Sequence, residues 1–284
     1  MKYTNLLITD FKSIRKRFLC QLAICFCAFL ILCTIYGSMI HMGNQFGLIS
    51  GKGSIWNLLA YLFMGTKYAK PEDFQFFQVP VLWCLIYLPG LFISNDFTFH
   101  ILEATGIQQL VRLKARIGWW IEKLILAVLC LIFYIIVFGC ALLLYCALSG
   151  IPIMGKMDLE IFAYSSSFAP IEEVTGLYWV FRLIGCPILV LFTLMFLQFA
   201  VGILAGPLLG FLASSSWLVS STVYASPFLI GNLGMVLRDK SITDTGIQAG
   251  GCVAVCVSAI ILCLFLICIA ARRKDYLSKE QEDT

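Results

Sequence analysis

The sequence predicts an all-α, polytopic membrane protein. Six transmembrane helices are expected, with an amphipathic interfacial helix before the first, a cytoplasmic coupling helix between the second and third, and a re-entrant outer hairpin before the last. Three observations lead there. Of 284 residues, 61% are hydrophobic and 13% charged, where a soluble domain carries about a quarter charged. The mean hydropathy is +0.93, more apolar side chain than one globule of this size hides from water. Finally, apolar runs of about twenty residues recur along the chain, the length that crosses a hydrocarbon core of about 30 Å.

The runs define a single membrane domain. Residues 18–40 form the first and contain no charge. Residues 79–95 form a short second run interrupted by Pro89-Gly90. The third occupies 124–148 and is led in by Trp119-Trp120, so that its helix is taken as 119–148. The fourth covers 177–205, with Arg182 near its start, and the fifth covers 207–224. Between them stands only Gly206-Pro207, which reads as a tight turn between two antiparallel helices. The sixth run is 252–271. The first run is longer than the apolar core of a cleaved signal peptide and is followed by no small-x-small site, so it is read as a span.

Orientation follows from the cations. With the N-terminus inside, 13 Lys and Arg residues fall on the cytoplasmic side and 7 outside, and the 13 cluster beside membrane ends, where the positive-inside rule has most force. Both termini are therefore expected in the cytoplasm. No basic block of the kind that binds nucleic acid is present. All thirteen cysteines lie in predicted spans or at their edges, which suits small apolar residues at helix contacts better than an extracellular disulfide framework.

Candidate catalytic patterns fall short of their chemistry. Gly47-Leu-Ile-Ser-Gly51-Lys52 has one residue too few for a phosphate-binding loop, and Gly53 stands where a Ser or Thr would hold Mg²⁺. Glu172-Glu173 has no histidines at hand for a metalloprotease site, and Ser214-Ser215-Ser216 has no base beside it. No metal or cofactor is expected on this chain. Arg182 is the one charge clearly within a run. At mid-bilayer it would cost about 2.5–3.5 kcal/mol. It lies near enough to the outer end to snorkel, with Glu172 or Glu173 as a partner. Anchoring and substrate contact both remain open for it.

Two cytoplasmic segments look built for contacts. Leu7, Phe11, Ile14 and Phe18 repeat at helical spacing, while Lys12, Arg15, Lys16 and Arg17 supply cations for anionic headgroups. Such a helix, residues 1–17, should lie along the inner leaflet. In the loop from Asp96 to Lys123, the residues Phe97, Ile101, Ala104, Ile107 and Val111 trace one helical face. The outer loops contribute an expected interfacial helix at 54–64, and the apolar stretch 227–237 is too short to cross, which makes it re-entrant or interfacial.

The stretch Glu103-Ala-Thr-Gly106-Ile-Gln108-Gln-Leu110, followed by Arg112, by Arg116-x-x-Trp119 and by Lys123, resembles the signature of type-2 ABC transporter permeases. These exporter subunits pair with separate ATPases. The chain lacks the proline that often precedes the Arg of that pattern, and its intervening segment is shorter. The resemblance implies that Glu103, Gly106, Gln108, Arg112 and Arg116 belong to a coupling helix seated on a cytoplasmic ATP-binding subunit. It further implies two permeases with two such ATPases in a bacterial plasma membrane, with ATP and Mg bound by the partner. The cargo would be an amphiphile such as an antimicrobial peptide. Three other readings are a sensory complex of the same fold, an ion-coupled secondary transporter and a membrane-embedded enzyme. No Asp or Glu lies deep in the six runs, which counts against ion coupling.

Overall fold

The computed structural model describes residues 3–67, 79–101, 116–168, 176–243 and 246–273. Among them the chain is helical, and five helices are long and apolar enough to cross a membrane. Helix α1 covers Tyr3–Gln45, α2 Ile55–Leu62, α3 Val81–Ile101, α4 Arg116–Ser149 and α5 Leu159–Ser166. Helix α6, Gly176–Ala205, contains one π-helical turn at Phe181–Gly185. Helix α7 is Pro207–Val223 and α8 is Ala249–Arg273, with two 3₁₀ turns between them at Ile230–Gly234 and Val236–Arg238. Helix α1 packs along α4, and α4 packs on α3. Helix α6 sits at the centre, touching α3, α7 and α8.

The segment expected as a separate interfacial helix, residues 1–17, continues without a break from Tyr3 into the first span. At 1.5 Å per residue this 43-residue helix is about 65 Å long. The reason lies in the stripe itself. Ile14, Phe18, Leu22, Cys25, Phe29, Leu32, Tyr36 and Ile40 are all buried, one face recurring at three and four residues. The stripe of a helix expected to lie along the leaflet packs on protein at Phe18, which meets Phe97 edge-on at 5.1 Å and lies 6.0 Å from Phe133.

Helix α3 likewise outruns its expected end at 95. It carries Phe97 and Ile101, two residues expected on the helical face of the following loop, as part of the same helix. Pro89 lies inside α3. In the turn before it, where proline weakens the backbone ladder, the Tyr134 hydroxyl donates to the Ile86 carbonyl at 2.6 Å. The expected outer helix at 54–64 is present as α2. Its N-terminus is closed by Ser54 and Asn57, and Asn57 also donates to the Asp158 carbonyl at 2.7 Å, tying α2 to the start of α5.

Helix α7 has 17 residues, about 26 Å, and is shorter than the other five. It folds back on α6 through Gly206, whose φ of +106° suits glycine. The antiparallel pairing is visible in residues equally spaced about that turn. The Ser214 hydroxyl donates to Gln198 Oε1 at 3.0 Å. A β-carbon on Gly210 would lie 2.5 Å from the Gln198 carbonyl oxygen and 2.9 Å from the Gly202 nitrogen. Helices approach this closely only through residues without bulk. Gln198 also donates to the Leu91 carbonyl at 3.0 Å, so one amide joins α3, α6 and α7.

Gly210→Val should force α6 and α7 apart, at a cost of about 1–3 kcal/mol. Thermal unfolding of detergent-purified protein should show a lowered midpoint, while Gly139→Ala, where a β-carbon meets nothing within 4 Å, should leave it unchanged.

Candidate functional site

Two charged assemblies, one at each end of the bundle, carry the groups that sequence reasoning singled out. The first is built around the chain that follows α7. Residues Ile230 to Asp239 are buried without interruption although their backbone is not α-helical. Buried amides and carbonyls outside a helix need partners, and here the rest of the protein supplies them. Val236 and Leu237 donate their N–H groups to the carbonyls of Phe63 and Met64, at 2.9 and 3.1 Å. Gly231 N–H donates to the Ser221 hydroxyl at 3.1 Å, and Trp83 Nε1 donates to the Gly234 carbonyl at 3.0 Å. Gly234 is needed for this fit, since a β-carbon there would lie 2.4 Å from the Tyr87 hydroxyl.

Two further carbonyls are held by arginine. Arg182, 3% exposed, donates through Nη1 to the Leu233 carbonyl and through Nη2 to the Met235 carbonyl. Its Nε lies 2.8 Å from Asp239 Oδ2, and that oxygen also accepts from the Tyr178 hydroxyl at 2.5 Å. The other Asp239 oxygen accepts from the backbone and hydroxyl of Ser241, each at 2.9 Å. The π-helical turn at 181–185 places Arg182 and Leu183 together on the inner face of α6, an insertion often found at functional positions. Arg238 makes a parallel tie. Its Nε donates to the Thr66 carbonyl and its Nη2 to the Thr222 carbonyl, both at 2.7 Å.

The partner proposed for Arg182, Glu172 or Glu173, lies outside the described residues. The acid that meets it is Asp239, and the guanidinium turns inward instead of snorkelling outward. Sequence reasoning passed over Asp239 because it sits in an ordinary-looking Arg-Asp-Lys run. The signal was its place directly after an apolar stretch too short to cross.

The second assembly sits at the other end. Lys123 on α4 is fully buried, as are Asp10 on α1 and its own neighbour Glu122. Lys123 Nζ pairs with Asp10 Oδ2, lies 3.1 Å from Glu122 Oε2, and stands 5.5 Å over the Trp119 ring, a cation–π arrangement. About two turns further along α1, Arg17 Nη2 donates to Asp96 Oδ1 on α3 at 2.9 Å, and Gln21 donates to the other oxygen of Asp96 at 3.1 Å. Below these ties Trp119, Trp120, Phe199, Ile203 and Ile267 form a compact apolar cluster joining α4, α6 and α8. Asp10 was legible in principle: it lies one helical turn before Ile14, on the stripe that becomes buried.

Of the residues assigned to ATPase coupling, Glu103, Gly106, Gln108 and Arg112 lie outside the described residues, and Arg116 opens α4. Lys12, Arg15 and Lys16, the expected headgroup cations, are exposed on α1, while Arg17 is engaged by Asp96. The structure therefore brings together the roots of the inner loop, through Asp96 and Lys123. Compared with known proteins, the chain matches no family model, no curated protein and no solved structure.

Removing Arg182 strips a buried carboxylate of its partner and two carbonyls of their donors. Arg182→Leu should destabilise the protein by about 3–5 kcal/mol, read as a fall in the thermal midpoint. Adding Asp239→Leu to that variant should recover part of the loss, because the orphaned carboxylate goes with it. Additive losses in that cycle would contradict the pairing.

Proposed function

We propose that this chain is the permease subunit of an ATP-driven ABC exporter for an amphiphilic substrate, with energy delivered from a cytoplasmic ATP-binding subunit through residues 102–115. The observation that carries this reading is the bracing of both roots of that loop to one helix. The α3 root is tied to α1 through Asp96 and Arg17, and the α4 root through Lys123 and Asp10. A partner pushing on the loop would move two roots and a 43-residue helix as one body. The Lys123–Asp10 pair is buried and resists separation because each charge would be left without its partner, whereas the half-exposed Arg17–Asp96 pair contributes less and is backed by Gln21 on the same carboxylate.

In this reading α7 is a sixth crossing, antiparallel to α6, and residues 227–237 form a re-entrant segment. From residue 230 its backbone is buried and hydrogen-bonded, the state in which non-helical backbone is tolerated at membrane depth. Both ends of the chain lie in the cytoplasm of a bacterial cell. A second permease, identical or related, completes the pathway, and ATP and Mg are bound by the paired ATPases. Arg182 anchors the re-entrant segment. A membrane-active peptide antibiotic fits the amphiphilic cargo.

One observation favours a second reading, ion-coupled transport: two carboxylates, Asp10 and Glu122, are buried around a single Lys123, and intramembrane acids commonly relay protons. The two readings part in vesicles. A proton-coupled carrier works on a pH gradient after ATP is removed, whereas the exporter stops.

The exporter should co-purify with a Walker-motif ATPase and raise its hydrolysis rate. Glu103→Ala and Arg112→Ala should each lower that stimulation roughly tenfold or more, the scale for losing a charge pair at an interface. A purified chain that binds no such ATPase, or variants with undiminished stimulation, would remove the coupling assignment.

A further inference from the structure

Between α3, α4 and α6, roofed by α2, lies a cavity of about 250 Å³. Phe138, Gly139 and Leu142 of α4 form one wall, Ile184 and Leu191 of α6 the other, and Leu59 of α2 the roof. We infer that this cavity is a binding site for one acyl chain of a membrane lipid, drawn from the leaflet on the α2 side.

The lining selects hydrocarbon. Two tyrosines border the cavity, and both contribute only their rings. The Tyr134 hydroxyl is committed to the Ile86 carbonyl, and the Tyr87 hydroxyl points away, toward Gly234. Water needs two to four polar partners to occupy a site, and an apolar cavity of about 150 Å³ stays dry yet takes up benzene. A peptide backbone would bring amides and carbonyls with nothing to bond. The mouth lies between Leu143, 47% exposed, and Ile184, 40% exposed. Both residues are exposed on helices long and apolar enough to cross a membrane, so the cavity opens on the surface that acyl chains would cover in a bilayer.

Two local features hold the cavity open. Gly139 leaves out a side chain where a β-carbon would meet nothing within 4 Å, and protein interiors otherwise keep few voids larger than a water molecule. Across from it, the π-helical turn at 181–185 carries Ile184 at the mouth. The occupant is defined without reference to transport, so the inference stands apart from the exporter reading.

The test uses the full chain in phosphatidylcholine vesicles doped with a phosphatidylcholine bearing a diazirine at the end of one acyl chain. After irradiation, adducts are mapped by mass spectrometry. Adducts should concentrate on Phe138, Leu142 and Ile184, well above those on Ile261, Leu262 and Phe265, the exposed face of α8. Gly139→Leu, which fills the cavity from a helical position that tolerates it, should lower cavity adducts roughly tenfold, the factor for about two methylenes losing their burial. Adducts on α8 should not change. The milder Gly139→Ala should give an intermediate loss and guards against a folding defect. Cavity adducts no denser than those on α8, or undiminished in both variants, would overturn the inference. So would chain-to-chain crosslinking through Gly139→Cys in place of lipid adducts, which would make a second copy the occupant.

Discussion

The buried guanidinium of Arg182 is the constraint on which one end of this helical bundle depends. A charge removed from water is costly unless it is paired and hydrogen-bonded, and Arg182 is paired with a carboxylate and donates to two backbone carbonyls that belong to one stretch of chain. The dependence is mutual. Residues 230–239 are not α-helical, so their polar backbone satisfies itself only in part, and Arg182 is one of the donors that let it remain buried. Arginine suits the task because its planar fork offers five donors in fixed directions. The helix adapts to the arginine as well, widening by one π-helical turn at the position that carries it.

At the opposite end the governing interaction is also a buried cation, but its work differs. Lys123 and Arg17 together fasten the start of α4 and the end of α3 to one long helix. Helix α1 then continues to Asn44, whose side chain bonds both the carbonyl and the amide of Gly51 and so shapes the outer loop. One unbroken helix thus runs from the ends of the α3–α4 connection to the opposite end of the bundle. Between the two charged ends the packing is apolar and close. Its main polar feature is the Gln198 amide, which links α3, α6 and α7 where two glycines let helices touch.

Much of this was legible in the chain, and the failures share a cause. The apolar runs located five long helices because a bilayer imposes a length that composition alone reveals. Gly206-Pro207 marked the turn between α6 and α7 because glycine and proline act on the local backbone. The stripe through Phe11, Ile14 and Phe18 reads as one face of a helix and was expected along the leaflet, whereas Phe18 packs on Phe97 and Phe133. Hydrophobic periodicity states that a face is buried and is silent about what buries it. Asp239, Asp10 and Asp96 were missed for the related reason that an ion pair is a property of two distant segments, and neither segment announces the other.

The sequence by itself determined the solvent of this protein, the helical response to it and the approximate ends of its spans. Those follow from side-chain transfer energies and from the need of every backbone group in lipid to bond within its own segment. The tertiary structure alone decided which charges meet, that the interfacial segment and first span are one helix, and that a cavity opens beside Gly139. Those outcomes depend on helices packed side by side from far apart in the chain, and on where a missing side chain or an added helical residue leaves room.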